Sequence, residues 1–387
     1  MPRAKSRVRR LFNTRFIRWW ALRQIIAIAP GIGDRLGMFP DSIGMLEGAD
    51  QVLVNEVSKV PEAEIVADLD FLSRCLASDA TDAQITLPGG VRAGARIAVY
   101  DQPWIDMVTG TVLLPRLRRT VLLRGAFANW NATSARLGRP RIPIEGRVTS
   151  MINTDNYFHQ LIENGIRLLD MLSRPEIGDA PITLVHRPPV RKVERAVLAV
   201  IARADTRIIL REVPADSLVL PEQAIISFPG NNHWEWPELP KPAVQRMDEL
   251  FAAYYGPPDT QGGEKLFLSR RGAKLRGLRN EAELEAMLTR RGFESFVATD
   301  DNHAEQIARF RAAREIVSVH GAGLTNLLFS APGARLVEIF PSTKVKSPYW
   351  WVCRRMGHHY APVIGGPGDR NEGFELDRAY VEKALAS

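Results

Sequence analysis

From Lys265 onward the chain alternates extended and helical patterns, and this alternation restricts its fold more than any other feature. Leu266–Ser269 reads as a strand running into Arg270-Arg271-Gly272. Asn280-Glu281-Ala282-Glu283 has the form of a capping box, and the helix it opens turns Leu284, Met287 and Leu288 inward before Gly292 ends it. Glu294–Ala298 predicts a second strand. Asn302–Glu305 has the same capping form, and the helix after it carries Ala304, Ile307, Ala308 and Phe310. Glu315–Val319 and Leu336–Phe340 are two more buried-strand patterns. A short helical run lies between them, with Leu324, Leu327 and Leu328 recurring until Pro332-Gly333 stops it. Four strands alternating with three helices predict an α/β fold with a doubly wound parallel sheet.

Ligands of such sheets bind outside the carboxyl ends of the strands. That rule gathers Ser269, Arg270 and Arg271 with His320, Gly321, Ala322, Gly323 and Glu338 near one crevice. A small-residue turn between strand and helix leaves backbone N–H groups free at a positively polarised helix end, which suits a phosphate. A plain tight turn explains His320-Gly321-Ala322-Gly323 equally well, because the full dinucleotide fingerprint is missing.

Asn153–Leu172 is the second informative stretch. Thr154 or Asp155 can cap a helix whose buried stripe is Phe158, Leu161, Ile162, Leu168, Leu169 and Leu172. Asn156, His159, Glu163 and Arg167 fall on another face. A row of amide, imidazole, carboxylate and guanidinium can position a hydroxyl and take its proton. It can also be a solvated face with one Glu163–Arg167 pair of about 0.2–0.5 kcal/mol.

The net charge of +7 is carried by the first 33 residues. Arg3, Lys5, Arg7, Arg9, Arg10, Arg15, Arg18 and Arg23 precede the first acid, Asp34, and without these eight the body is at −1. Phe12, Phe16, Trp19, Trp20 and several isoleucines are interleaved with them, as in a basic amphipathic segment lying on an anionic leaflet. Nucleic-acid binding and a solvated tail are the rival readings; adjacent tryptophans favour the membrane surface. The uncharged run Gln24–Gly33 is too short to span a bilayer, and no small-residue cleavage site of a secretory signal is seen. Cys75 and Cys353 lack metal-ligand spacing and fit a reducing cytoplasm. Asp68-Leu69-Asp70 spells a possible metal-diphosphate motif, or two acids at a helix start, and His233 beside Trp234 and Trp236 is pocket lining or loop packing. The expected organisation is an arm at 1–33, a first domain at 34–178, a second at 179–345 with the junction near 175–190, and a tail at 346–387 packing back on the first domain.

Together these stretches resemble the family-61 glycosyltransferases, enzymes of GT-B architecture. The resemblance rests on Asn156-Tyr157-Phe158-His159 with Glu163, Leu266–Arg271, Asn280–Leu284 through Phe293, and His320–Phe329 with Glu338-Ile339. It covers roughly residues 150–342 and implies two Rossmann-like domains facing a cleft. It also implies inverting transfer from a nucleotide-diphosphate sugar, usually a UDP-sugar, to a hydroxyl of a glycan or lipid-linked glycan, with no obligatory metal. The implied donor contacts are Ser269, Arg270, Arg271, Asn280, Gln306, His320, Gly321, Ala322, Gly323, Leu324, Asn326 and Glu338. Asn156 and Arg167 fall on the acceptor side, and Glu163 or His159 near the reacting hydroxyl. Gln160 stands where relatives often carry an acid or a tryptophan. Glu163 is then the first choice of base, because partial burial raises a carboxyl pKa. Two other readings are a non-catalytic nucleotide-binding scaffold subunit and a transferase of pyruvyl or phosphoryl groups.

Overall fold

The computed structural model describes residues 41–43, 46–59, 91–108, 110–121, 139–151, 154–228, 239–257, 262–273 and 275–386. The arm at 1–33, Asp68-Leu69-Asp70 and the loop with His233 lie outside the described residues.

The chain is α/β with two sheets. The first takes β1 (Asp41–Ile43), β2 (Gln51–Lys59), β3 (Val91–Asp101), β4 (Trp104–Asp106), β5 (Thr111–Leu114), β6 (Arg119–Val121), β7 (Arg141–Ser150), β8 (Ile182–His186), β9 (Ile208–Glu212) and β10 (Leu218–Phe228). Its main order is β1-β6-β5-β4-β10-β7-β8-β9, and the β2–β3 pair joins along β10. β10, β7, β8 and β9 run parallel, whereas β3 and β4 pair with β10 antiparallel. After β7 a π-helical run, His159–Ile166, continues into α1 (Arg167–Leu172); α2 (Lys192–Ala204) and α3 (Lys241–Tyr255) follow.

The second sheet is wholly parallel: β11 (Lys265–Ser269), β12 (Glu294–Val297), β13 (Glu315–Val319), β14 (Arg335–Phe340) and β15 (His359–Ile364), in the order β12-β11-β13-β14-β15. Its helices are α4 (Glu281–Arg290), α5 (His303–Ala312), α6 (Pro348–Met356) and α7 (Arg378–Ala386), with a 3-10 helix at Ala322–Phe329. Leu266, Leu268, Ile316 and Leu336 enter one core cluster, while Phe267, Val317, Val337 and Ile339 enter another on the opposite face. Strands buried on both faces explain why these segments read as largely apolar runs, broken only by the buried Ser318 and Glu338 in β13 and β14. The doubly wound parallel sheet expected from the sequence is the one observed.

Several local expectations change. β8, β9 and β10 pair in the first sheet, so the junction expected near 175–190 falls inside that sheet, and the change of sheet comes between 228 and 265. Most of the tail stays with the second sheet, where β15 is the edge strand and α7 lies near β14 and β15, while α6 packs back on the first half through Tyr349 and Phe158. The two capping boxes do not close. Asn280 makes no cap bond and instead brackets Leu376, giving its amide N–H to that carbonyl at 2.8 Å and accepting that N–H at 3.2 Å. Asn302 accepts from the Thr299 N–H at 2.8 Å and donates to the Val297 carbonyl at 2.9 Å. Gly292 does end α4 with a left-handed φ of 84°.

The two halves are locked together. Asp300 accepts the Lys192 and Val193 N–H groups at the start of α2, at 2.8 and 3.3 Å. A cap of this kind contributes about 1 kcal/mol. One core cluster runs from α1, α2 and α3 to Leu268, Ile316, Leu324 and Leu328. Gly165, in the π-helical run, faces α3; a Cβ there would lie 2.3 Å from Met247 Cε, which would have to move aside.

Candidate active site

The chain leaves β11 for β12 on one side and returns to β13 on the other, so the connections after β11 and β13 diverge. Such a switch point leaves a crevice at the carboxyl ends of the strands. Ser269 ends β11, buried; its hydroxyl donates to the Glu281 carboxylate and accepts the Arg271 N–H at 3.1 Å. Glu281 also accepts the Arg270 N–H at 3.0 Å. These bonds fix the turn that presents Arg270.

The Arg270 guanidinium lies against the turn after β13. A Cβ on Gly321 would sit 1.7 Å from Arg270 Nη1, so a side chain there would push the guanidinium out of this position. Arg270 Nη2 donates to the Leu275 carbonyl at 2.9 Å, and its buried Nε has no partner. Burial, then Arg276, lower its pKa. Arg271 goes elsewhere: it is exposed and pairs with Glu285 on α4. One of the twin arginines, not both, meets the glycine turn.

His320 is buried, with Nδ1 2.6 Å from Glu338 Oε1; Tyr360 donates to Glu338 Oε2 at 2.8 Å. Phe340 stacks on its ring at 5.2 Å between centroids, and Tyr349 leans on it at 5.4 Å. The carboxyl thus holds Nδ1 and leaves Nε2 as the ring atom able to meet a ligand. Burial and then Arg276, Lys346, Arg270 and Lys344 push the imidazole well below its ordinary pKa, so it is neutral near pH 7. Glu338 is fully buried in β14, and burial raises its pKa against the Tyr360 hydrogen bond and Arg276. It orients His320 from behind, so the expectation that Glu338 contacts the nucleotide is replaced by a supporting role. Four cations from two loops act on this one histidine, which is the electrostatic setting a diphosphate requires.

The helical run after β7 meets the same edge. Phe158 packs on Tyr349 edge-to-face at 5.9 Å, so one aromatic, Tyr349, touches both Phe158 and His320. The next residue is His159, whose Nδ1 lies 2.8 Å from Glu163 Oε1, both side chains partly exposed. The imidazole and carboxylate expected on one face therefore meet as a pair, in place of the Glu163–Arg167 pair, on a π-helical turn, a form often found at functional sites.

Other candidates are consumed by structure. Arg167 is buried and gives its guanidinium N–H groups to the carbonyls of Glu163, Ser150 at 2.8 Å and Ser227 at 3.1 Å. It ties the helix to the ends of β7 and β10. Asn156 caps the helix in place of Thr154 or Asp155, accepting the Phe158 N–H at 2.9 Å. Gln160 is buried, donating to Glu194 at 3.2 Å and accepting from Asn164 at 3.1 Å. Leu324 is core. Ala322 and Gly323 start a 3-10 helix, not an α-helix, and a Cβ on Gly323 would lie 3.0 Å from Leu268 Cδ2.

Gln306 and Asn326 belong to a buried network joining the halves. Asn326 Nδ2 donates to Gln306 Oε1 and to the Gly323 carbonyl, both at 3.0 Å. Its Oδ1 accepts the Tyr157 hydroxyl at 2.6 Å. With that proton committed, His303 Nε2–H must donate to Tyr157 at 2.7 Å, and Tyr255 donates to Nδ1 at 2.7 Å. Burial lowers the His303 pKa to about 4 against a small opposing pull from Asp300, so the ring is neutral.

Sequence reasoning missed Arg276, Lys344, Lys346, Tyr349 and Tyr360. Arg276, Lys344 and Lys346 lie in loops and Tyr349 and Tyr360 on α6 and β15, all outside the alternating pattern read from the sequence; the one available signal was the cluster Lys344-Val345-Lys346 directly after a strand end.

A family model described as Glycosyltransferase 61 matches residues 70–337. No curated protein matches the chain. Among solved structures, E. coli heptosyltransferase WaaC with ADP is 14% identical at a TM-score of 0.29, covering 63% of this chain and 97% of that one. The same enzyme with ADP-2-deoxy-2-fluoro heptose gives 12% and 0.28, covering 63% and 99%.

Proposed function

Because the chain belongs to the glycosyltransferase 61 family, whose model covers residues 70–337, we propose that it is an inverting transferase acting on a nucleotide-diphosphate sugar, a UDP-sugar first. The observation that carries this reading is Arg270 lying against Gly321 amid Arg276, Lys344 and Lys346 at the switch point of the parallel sheet. The acceptor is a hydroxyl of a cell-surface polysaccharide or glycolipid precursor. Its O–H proton passes to Glu163, with His159 beside it to hold the hydroxyl or share the proton. The oxygen bonds to the anomeric carbon as the bond to the diphosphate breaks on the opposite face. The departing charge is met by Arg270 and its neighbouring cations. Phe158 and Tyr349 connect the two groups of residues, which supports one site rather than two.

Among the described residues no helix is long and apolar enough to cross a membrane. The basic aromatic arm at 1–30 would hold the enzyme at the cytoplasmic face of an anionic bilayer, a contact that co-sedimentation with anionic vesicles reads.

The test is a thermal-shift screen of nucleotides and nucleotide sugars, followed by product mass with the ligand that raises the melting temperature. A UDP-sugar should stabilise the fold and yield a product one sugar heavier, with Glu163→Gln losing about 10²–10⁴-fold in rate. Normal turnover in Glu163→Gln removes the base assignment. Nucleotide binding without turnover across donors and acceptors would make the chain a scaffold subunit, and a pyruvyl or phosphoryl mass increment another transferase.

A further inference from the structure

Glu372 spans two of the cations just described. Its Oε2 lies 3.0 Å from Arg276 Nη1, and its Oε1 pairs with Lys344 Nζ. Arg276 in turn donates from Nε to the His320 carbonyl at 3.1 Å, so this carboxylate sits at the phosphate end of the crevice. The three side chains are partly exposed, at 17–24%, and solvent reaches them. Burial acts against ionisation, but Lys344 and Arg276 hold Glu372 below the usual carboxylate range.

Both partners of the Arg276–Glu372 bridge adopt left-handed backbone, with φ of 57° and 62°. Neither is glycine, and left-handed residues of this kind gather at ligand clamps. The loop that carries Glu372 is built independently of its side chain. Asp369 accepts the N–H groups of Asn371 and Gly373 at 2.8 and 2.9 Å, and Arg276 N–H donates to the Asn371 carbonyl at 3.1 Å. The carboxylate can therefore leave its two cations while the backbone stays in place.

We propose that Glu372 is a positioning residue: it keeps Arg276 and Lys344 aimed at one point in the ligand-free protein and yields that point to the diphosphate of the nucleotide. This rests on the donor site proposed above. It assigns the acid an effect opposite to that of a structural bridge, because removing it leaves the cations free for phosphate.

The experiment is calorimetric titration with UDP, after confirming that the wild type binds it. Glu372→Gln and Glu372→Asn, the latter suited to left-handed backbone, should bind UDP about tenfold tighter, with steeper salt dependence. Arg276→Ala should bind it more weakly. Affinity unchanged or lowered in the Glu372 variants, at wild-type melting temperature, overturns the proposal while leaving the donor site standing. If neither variant folds, the carboxyl carbon of Glu372 in the wild type is followed by NMR. Its titration should move to the ordinary glutamate range when UDP saturates the protein, and an unmoved titration overturns the proposal. Absence of any UDP, ADP or GDP binding overturns both readings.

Discussion

Arg167 and Arg270 are both largely buried arginines at the carboxyl edge of parallel strands, one in each sheet. Arg167 stands where β7 and β10 end, and its N–H groups go to three backbone carbonyls. Arg270 stands where β11 ends; it gives one bond to a carbonyl and keeps a buried Nε without a partner. A guanidinium whose donors are spent on backbone fastens the fold. One left with an unpaired donor, beside a glycine that makes room for it and three further cations, costs stability unless an anion arrives. The switch points are alike in topology, yet the first is closed by its arginine and the second is left open.

Substitutions at the two positions should therefore separate activity from stability. Arg270→Ala should lower transfer by about 10²–10³-fold, as loss of a preorganised donor does, while leaving the melting temperature at or above that of the wild type. Arg167→Ala should remove about 3 kcal/mol of stability in denaturant titration, because charged bonds to buried carbonyls are lost together. Similar losses of both quantities in both variants would erase the distinction. Arg271→Ala, whose partner is the exposed side of α4, should change transfer less than twofold.

Acid sharpens the contrast between the halves and the network that joins them. His303 has a folded pKa of about 4, below the ordinary 6.5, so the unfolded chain binds its proton first as pH falls. Stability from this group is complete above about pH 6.5 and is lost as pH drops towards 4, by about 3 kcal/mol in all. His303→Gln should flatten that part of the pH–stability curve. A curve identical to the wild type would show that the ring is not held neutral between Tyr157 and Tyr255.

The parallel sheet was legible because strands buried on both faces are mostly apolar without alternation, as Glu315–Val319 and Leu336–Phe340 are, and because they alternate with helical patterns of regular length. That His159 and Glu163 share a face was legible because residues three or four apart along a helix come together, although the partner expected for Glu163 was Arg167. Asn280, Gln306 and Asn326 misled for a common reason. Each is a polar residue near a suspected site, and one sequence cannot tell a ligand contact from a bond to Leu376 or Tyr157 far along the chain. The first sheet was harder to read because its strands range from three to eleven residues, are mixed in direction and are joined in part by long segments, which removes the period on which such reading depends.

By itself the sequence determined the local matters: where strands stop, which glycine turn follows β13, and which face of the helix after β7 is polar. These follow from backbone sterics and side-chain periodicity within a few residues. Only the tertiary structure decided that Arg270 faces Gly321 while Arg271 turns to Glu285, and that Glu338 stands behind His320. Only it set Glu372 between Arg276 and Lys344, 96 and 28 residues apart in the chain. Electrostatic partners are chosen by distance in space, and that distance exists only once the sheet has brought its strand ends to a single edge.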